Sequence, residues 1–137
     1  MSNYIQEGAI AKLADGTTID LTQAADTETS IYTCPSGKKC AVFGLLFYEF
    51  DEAVDEAAVT VGKTGGDCDE FLGDQTLTNV GASYADECLW LMPVPAATPA
   101  AALILDAGES LGVEITTAET TGSATCKAMP FGIEMDA

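Results

Sequence analysis

Residues 40–50, CAVFGLLFYEF, are apolar at both alternations of an extended chain: Val42, Leu46, Tyr48 and Phe50 in one, Phe43, Leu45 and Phe47 in the other. A strand with one apolar face rests on a core and shows its other face to water, whereas a strand apolar on both needs a cover on each. Gly44, the aromatic content and the turn-forming PSGKK just upstream favour a strand over a helix. The segment is therefore expected at the centre of a sheet. A second sheet should cover one side, and a neighbouring subunit or a loop the other.

The flanking sequence supplies strands of matching length. SIYTC precedes the PSGKK turn, and AAVTVGK carries Val59 and Val61 on one face. A short strand is expected near residues 76–80, followed by CLWLMPV, the bend PAATPA, and AALIL. The end of the chain alternates most clearly: ESLGVEITT places Leu111, Val113 and Ile115 together, and TCKAMPFGIEM does the same for Phe131, Ile133 and Met135. DEAVDE, LDAGES and TAETTGSA read as turns. Short strands spaced by turns, in a chain rich in Thr, Gly and Val with five prolines, indicate an all-β antiparallel sandwich or jelly roll. At 137 residues and 47% hydrophobic content this is one domain with a normal core. Residues 29–137 are assigned to the sandwich and residues 1–28 to an N-terminal arm or edge strand, broken at Asp15-Gly16.

Charge narrows the partners. Five lysines, no arginine and no histidine stand against 22 acids, for a net charge of −17. Cationic side chains supply most non-specific affinity for nucleic acid, so DNA and RNA are not expected partners. Anionic lipid surfaces are disfavoured on the same ground. The start, MSNYIQEGAIAKLADG, has no basic-then-apolar signal, and no apolar run is long enough to span a bilayer, so synthesis in a cytosol is expected.

Candidate chemistry is sparse. Cys34 and Cys40 flank the PSGKK turn at a spacing unlike the C-x-x-C of redox and zinc motifs, and no histidine is available to complete a metal site. A reactive thiolate wants cationic neighbours, which this chain offers only at Lys38 and Lys39. The pair reads as buried free thiols beside a hairpin turn or, in an oxidising setting, as a cross-strand disulfide. The loop at residues 66–74 gathers Asp67, Asp69, Glu70 and Asp74, but Phe71 stands where an EF-hand places its third ligand. A solvated acidic loop is the expectation there, with a calcium loop as the alternative. VGKTGGD lacks the upstream glycine of a phosphate loop. Without His or Arg, neither a Ser-His or Cys-His pair nor a guanidinium clamp can form. No catalytic, cofactor-binding or metal-binding residues are assigned, and an enzyme is not expected. Trp90, in CLWLMPVPAATPA, fits either a core strand leaving through a bend or an apolar patch for subunit contact.

The segment TSIYTCPSGKKCAVFGLLFYEF resembles the opening of many small virion proteins of tailed bacteriophages: a strand, a Pro-x-Gly-Lys turn and a hydrophobic strand. LILDAGESLGVEITTAETTGSATCKAMPFGIEM is similar to their closing pattern, and the likeness spans residues 29–135. The resemblance implies a non-enzymatic β-sandwich of the virion, foremost a capsid decoration or cement protein on the outer capsid surface. Its implied partners are the major capsid protein or other virion proteins and further copies of itself, a trimer being one compatible order. The alternative is a tail or fibre component, a receptor- or carbohydrate-binding module using loops such as residues 64–88. The family brings no catalytic motif. The two cysteines and the long acidic loop depart from its usual pattern.

Overall fold

The apolar run at residues 40–50 folds as the long strand β4 (Lys38–Tyr48), which ends just before Glu49 and Phe50. The computed structural model describes residues 10–80, 88–94, 102–122 and 124–137. Before β4 come β1 (Ala11–Lys12), β2 (Thr17–Asp20) and β3 (Thr27–Thr33). After it come β5 (Ala58–Lys63), β6 (Leu72–Thr76), β7 (Leu89–Leu91), β8 (Leu103–Asp106), β9 (Ser110–Thr117) and β10 (Thr125–Asp136).

Two antiparallel sheets form a sandwich. In the first, β4 lies between β10 on one side and β7 and β8 on the other, while β1 and β2 pair with the far edge of β10. The second runs β3-β9-β5-β6. Between the layers, Val42, Leu45, Phe47 and Leu105 of the first sheet meet Val59, Val61, Leu111, Val113 and Ile115 of the second, all at most 1% exposed. Ile19 and Leu21, from the N-terminal region, are fully buried in the same core.

β4 departs from simple alternation. Its register against β10 pairs Phe131 with Gly44 and Gly132 with Val42, leaving Phe43 as an extra residue. This β-bulge flips the parity of the strand. Cys40 and Val42 before it and Leu45 and Phe47 after it all point into the core. The sequence pattern put Val42 on the face of Leu46 and Tyr48; the bulge separates them.

β10 keeps the alternation read from the sequence and shows which set of residues faces the core. Its core-facing residues are the small ones, Cys126, Ala128, Pro130 and Gly132, whereas Met129, Phe131 and Ile133 are half-buried on the opposite face and Met135 is 40% exposed. Pro130 sits where the sheet edge is interrupted between the β2 register (Thr125 to Ala128) and the β1 register (Phe131 and Gly132). Its carbonyl accepts from Leu13 N at 2.8 Å. A proline donates no ladder hydrogen bond, so the gap between two edge strands is a position that tolerates it.

The strand expected near residues 76–80 is instead β6, ending at Thr76, with a turn closed by Val80 N to Leu77 O at 3.0 Å. The PAATPA bend falls outside the described residues.

The end of the loop between β4 and β5 is capped by one carboxylate. Glu119, 3% exposed, accepts from the backbone N–H of Asp55, Glu56 and Ala57 at Oε2 (2.9, 3.0 and 3.3 Å) and of Thr121 at Oε1 (3.2 Å). Its own N–H donates to Leu21 O at 2.7 Å. Glu119 thus ties residues 55–57 through its carboxylate and Leu21 through its backbone.

Candidate interaction surface

The residues with chemical potential are dispersed. β3 and β4 do not pair with each other, since β3 bonds β9 in the second sheet while β4 lies in the first. The PSGKK turn is therefore a corner between layers, where a hairpin was expected. It closes with Lys38 N donating to Pro35 O at 3.2 Å and Gly37 at φ 76°. Cys34 and Cys40 are both free and buried. The Cys34 Sγ–H donates to Lys38 O at 3.4 Å. Burial raises both thiols, with the negative charge of Glu134 adding to the effect, and pushes Cys40 to about 11. Both are held in the unreactive thiol form.

The acidic loop does not converge on a point. Glu70 accepts from Lys63 N at 2.9 Å, and Asp74 accepts from the Thr116 hydroxyl. Among the described residues, no group of three or more His, Cys, Asp or Glu side chains is placed to share a metal ion. The VGKT stretch ends β5 and runs into a turn, with Thr64 N bonded to Ser110 O at 3.0 Å. Residues 81–87, part of the loop considered for receptor binding, lie outside the described residues. Among those described, no helix is long and apolar enough to cross a membrane.

What the fold does concentrate is surface character, and it does so on opposite faces. On the outer face of the first sheet, cross-strand register lines up three rows: Met129, Leu46 and Trp90; Lys12, Phe131 and Gly44; Ile133, Ala41 and Ile104. Trp90 is 47% exposed, and Ile104 42%. The Trp90 ring meets Phe131 edge-on, with centroids 5.3 Å apart, and its Nε1–H donates to Met92 Sδ at 3.1 Å. Of the two sequence readings of Trp90, core or contact patch, the structure supports the patch.

The same register assigns three of the five lysines to the border of this face, each in an ion pair: Lys12 with Asp15 (2.6 Å), Lys39 with Asp106 (3.1 Å) and Lys127 with Glu49 (3.0 Å). Asp20, at the end of β2, is bonded to Thr22 N and Oγ1 at 2.9 and 2.6 Å.

The outer face of the second sheet is polar and acidic. Glu28 and Glu114 stand directly opposite each other on β3 and β9. Burial, then the charges of Glu28 and Asp26, raises the Glu114 carboxyl above the ordinary range. The molecule therefore has one apolar, ion-paired face and one acidic face.

Sequence reasoning missed this partition. Its signal was available in β10, where large residues occupy one alternation and small ones the other.

No family model matches this sequence, and no curated protein matches it significantly. Among solved structures, the fold is similar to a chain described as part of the cyanophage Pam1 capsid asymmetric unit. The TM-score is 0.51 at 12% sequence identity, covering 93% of this chain and 86% of that one. At that identity the likeness is one of fold.

Proposed function

We propose that this chain is a non-enzymatic structural component of a phage capsid, and specifically a decoration or cement protein that stabilises the head through protein–protein contacts. The observation that carries the reading is the fold likeness to a capsid chain over nearly the whole length. The two-faced surface supports it. A protein that works by contact needs an exposed apolar area larger than isolated surface residues provide. It also needs a face that stays solvated, and the acidic second sheet meets that need. The same acidity favours the outside of a shell, because packaged nucleic acid would repel it. Buried thiols of raised pKa and carboxylates engaged with backbone and lysine partners leave little for catalysis.

The test is addition of the purified protein to phage heads that lack it. Saturable binding on the outer surface, seen by electron microscopy, with greater resistance of the heads to heat or osmotic shock, is the expected result. Absence from intact particles together with no binding to heads would overturn the proposal.

A further inference from the structure

The outer face of the first sheet carries more apolar surface than a solvated sheet needs, and its charge distribution indicates what covers it. Every lysine of the chain is ion-paired with a carboxylate, so at least most of the −17 surplus resides on other acids. By strand register, and among the described residues, this face takes Lys12, Lys39 and Lys127 with their partners at its border and only Asp20 from the surplus. The opposite face takes acids with no lysine partner, such as Glu28 and Glu114. On a molecule this acidic, the described part of the first-sheet face is thus nearly charge-balanced.

Interfaces between different proteins usually join potentials of opposite sign. A basic partner would be drawn to the acidic face. A balanced border of alternating Lys and Asp or Glu around an apolar centre is complementary to itself, because each positive group can face a negative one after a two-fold rotation. We infer that the occupant is a second copy of this chain, bound face to face through the first sheets about a two-fold axis. The Trp90 ring and Phe131 lie at the centre, Ile104 on the edge strand β8, and the lysine–carboxylate pairs at the rim.

This arrangement also leaves the two acidic faces on opposite outer sides, as far apart as two stacked sandwiches allow. Repulsion between two such charged chains is then at its weakest. The face is roughly 20 Å by 25 Å from strand spacing and rise, the scale of a small specific interface. The inference does not depend on a capsid role, since self-association can be read in the purified protein alone.

Trp90 is the single tryptophan of the chain and lies within the proposed contact, so the wild-type protein reports on itself. In a dilution series, sedimentation should show a monomer–dimer equilibrium, and Trp90 emission should shift to the red with the same midpoint as the mass falls. Ile104→Glu with Met135→Glu replaces two side chains already 42% and 40% exposed, so the fold should survive and the dimer should be lost at least tenfold. Ser30→Lys, on the other sheet, should leave the dimer mass unchanged.

A wild-type protein that stays monomeric at high concentration overturns the inference. So does a dimer that forms without any change in Trp90 emission, or one that survives the paired glutamates. Burial of Trp90 only when phage heads are added, with the free protein monomeric, would assign the face to a different protein and equally overturn it. Loss of head binding with the dimer intact would count against the capsid proposal alone.

Discussion

The indole of Trp90 lies over the backbone of Gly44, where a Cβ would come within 2.1 Å of ring atom Cζ2. Glycine at this position of β4 is therefore a packing requirement of the exposed face, independent of the core behind it. Gly44→Ala must push the ring outward or bend the strand, and overpacking of this kind costs about 1–3 kcal/mol. The variant is expected to melt at a lower temperature and to show red-shifted Trp90 emission. If both stay at the wild-type values, the ring does not rest on Gly44.

Glu119 offers a second test, with a defined pH dependence. Burial works to raise its carboxyl, but the backbone donors of Glu56, Asp55, Thr121 and Ala57 outweigh it and hold the group below the ordinary value of 4.5. A carboxylate with a depressed folded-state pKa stabilises the fold fully above its unfolded value, and this contribution disappears as pH falls through the folded value. Glu119→Gln removes the charge and turns an amide toward N–H donors, which should cost about 2–3 kcal/mol at neutral pH. In urea titrations, the gap between wild type and variant should narrow steadily below the ordinary glutamate pKa. A gap that is constant from neutral to acid pH would show that the carboxylate is not held in its charged form.

These two sites also show how far the sequence could be read. Alternation at Leu111, Val113 and Ile115 grouped the core-facing residues of β9 correctly, because the strand has no extra residue on that stretch. The same reasoning failed in β4, where the extra Phe43 inverts the parity that a period of two assumes. In β10 the alternation was right and left the sidedness open: periodicity marks which residues share a face and does not say which face is inside. Glu119 was invisible because its partners are backbone N–H groups of residues 55–57, brought close only by the folded loop. The lysine border is likewise a product of register, with Lys12, Lys39 and Lys127 far apart in the chain.

The opposed pair Glu28 and Glu114 should be a source of instability at neutral pH. Like charges directly across an antiparallel pair are unfavourable by roughly 0.2–1 kcal/mol. Because the folded-state carboxyl of Glu114 is raised, its contribution is most favourable below the ordinary glutamate value and is lost as pH rises through the raised one. Glu114→Gln is therefore expected to stabilise the protein at neutral pH and low salt, by up to about 1 kcal/mol. Added salt should shrink that gain through screening. A destabilised variant would mean that the glutamate serves a bond worth more than the repulsion.

The five cysteines should divide sharply by accessibility. Cys34, Cys40, Cys68 and Cys126 are buried and Cys88 is exposed. Burial pushes Cys68 and Cys126 to about 12, with nearby carboxylates adding to it. Thiolate is the reacting species, so these sites combine poor access with poor activation. A thiol reagent at neutral pH should modify one site quickly in the native protein and all five only in denaturant, with Cys88→Ser removing the fast phase. Fast modification of two or more sites would show that at least one of the four buried thiols is accessible in solution.

Gly37 separates backbone strain from packing. It holds φ at 76°, and a Cβ built there would meet nothing within 4 Å. Any cost of substitution must then come from the left-handed conformation itself, about 1–2 kcal/mol for an ordinary L residue. Asparagine tolerates this region and a β-branched side chain does not. Gly37→Asn should accordingly lose little, and Gly37→Val should lose about 1 kcal/mol or more. The corner matters beyond its own residues, because Gly37 O accepts from Ala137 N at 3.0 Å and so ties the end of the chain to the turn. If the corner has this geometry, the order of melting temperatures is wild type, then Asn, then Val. Equal values for Asn and Val would mean that residue 37 sits in a conformation open to any side chain, and that the turn from β3 into β4 is built differently.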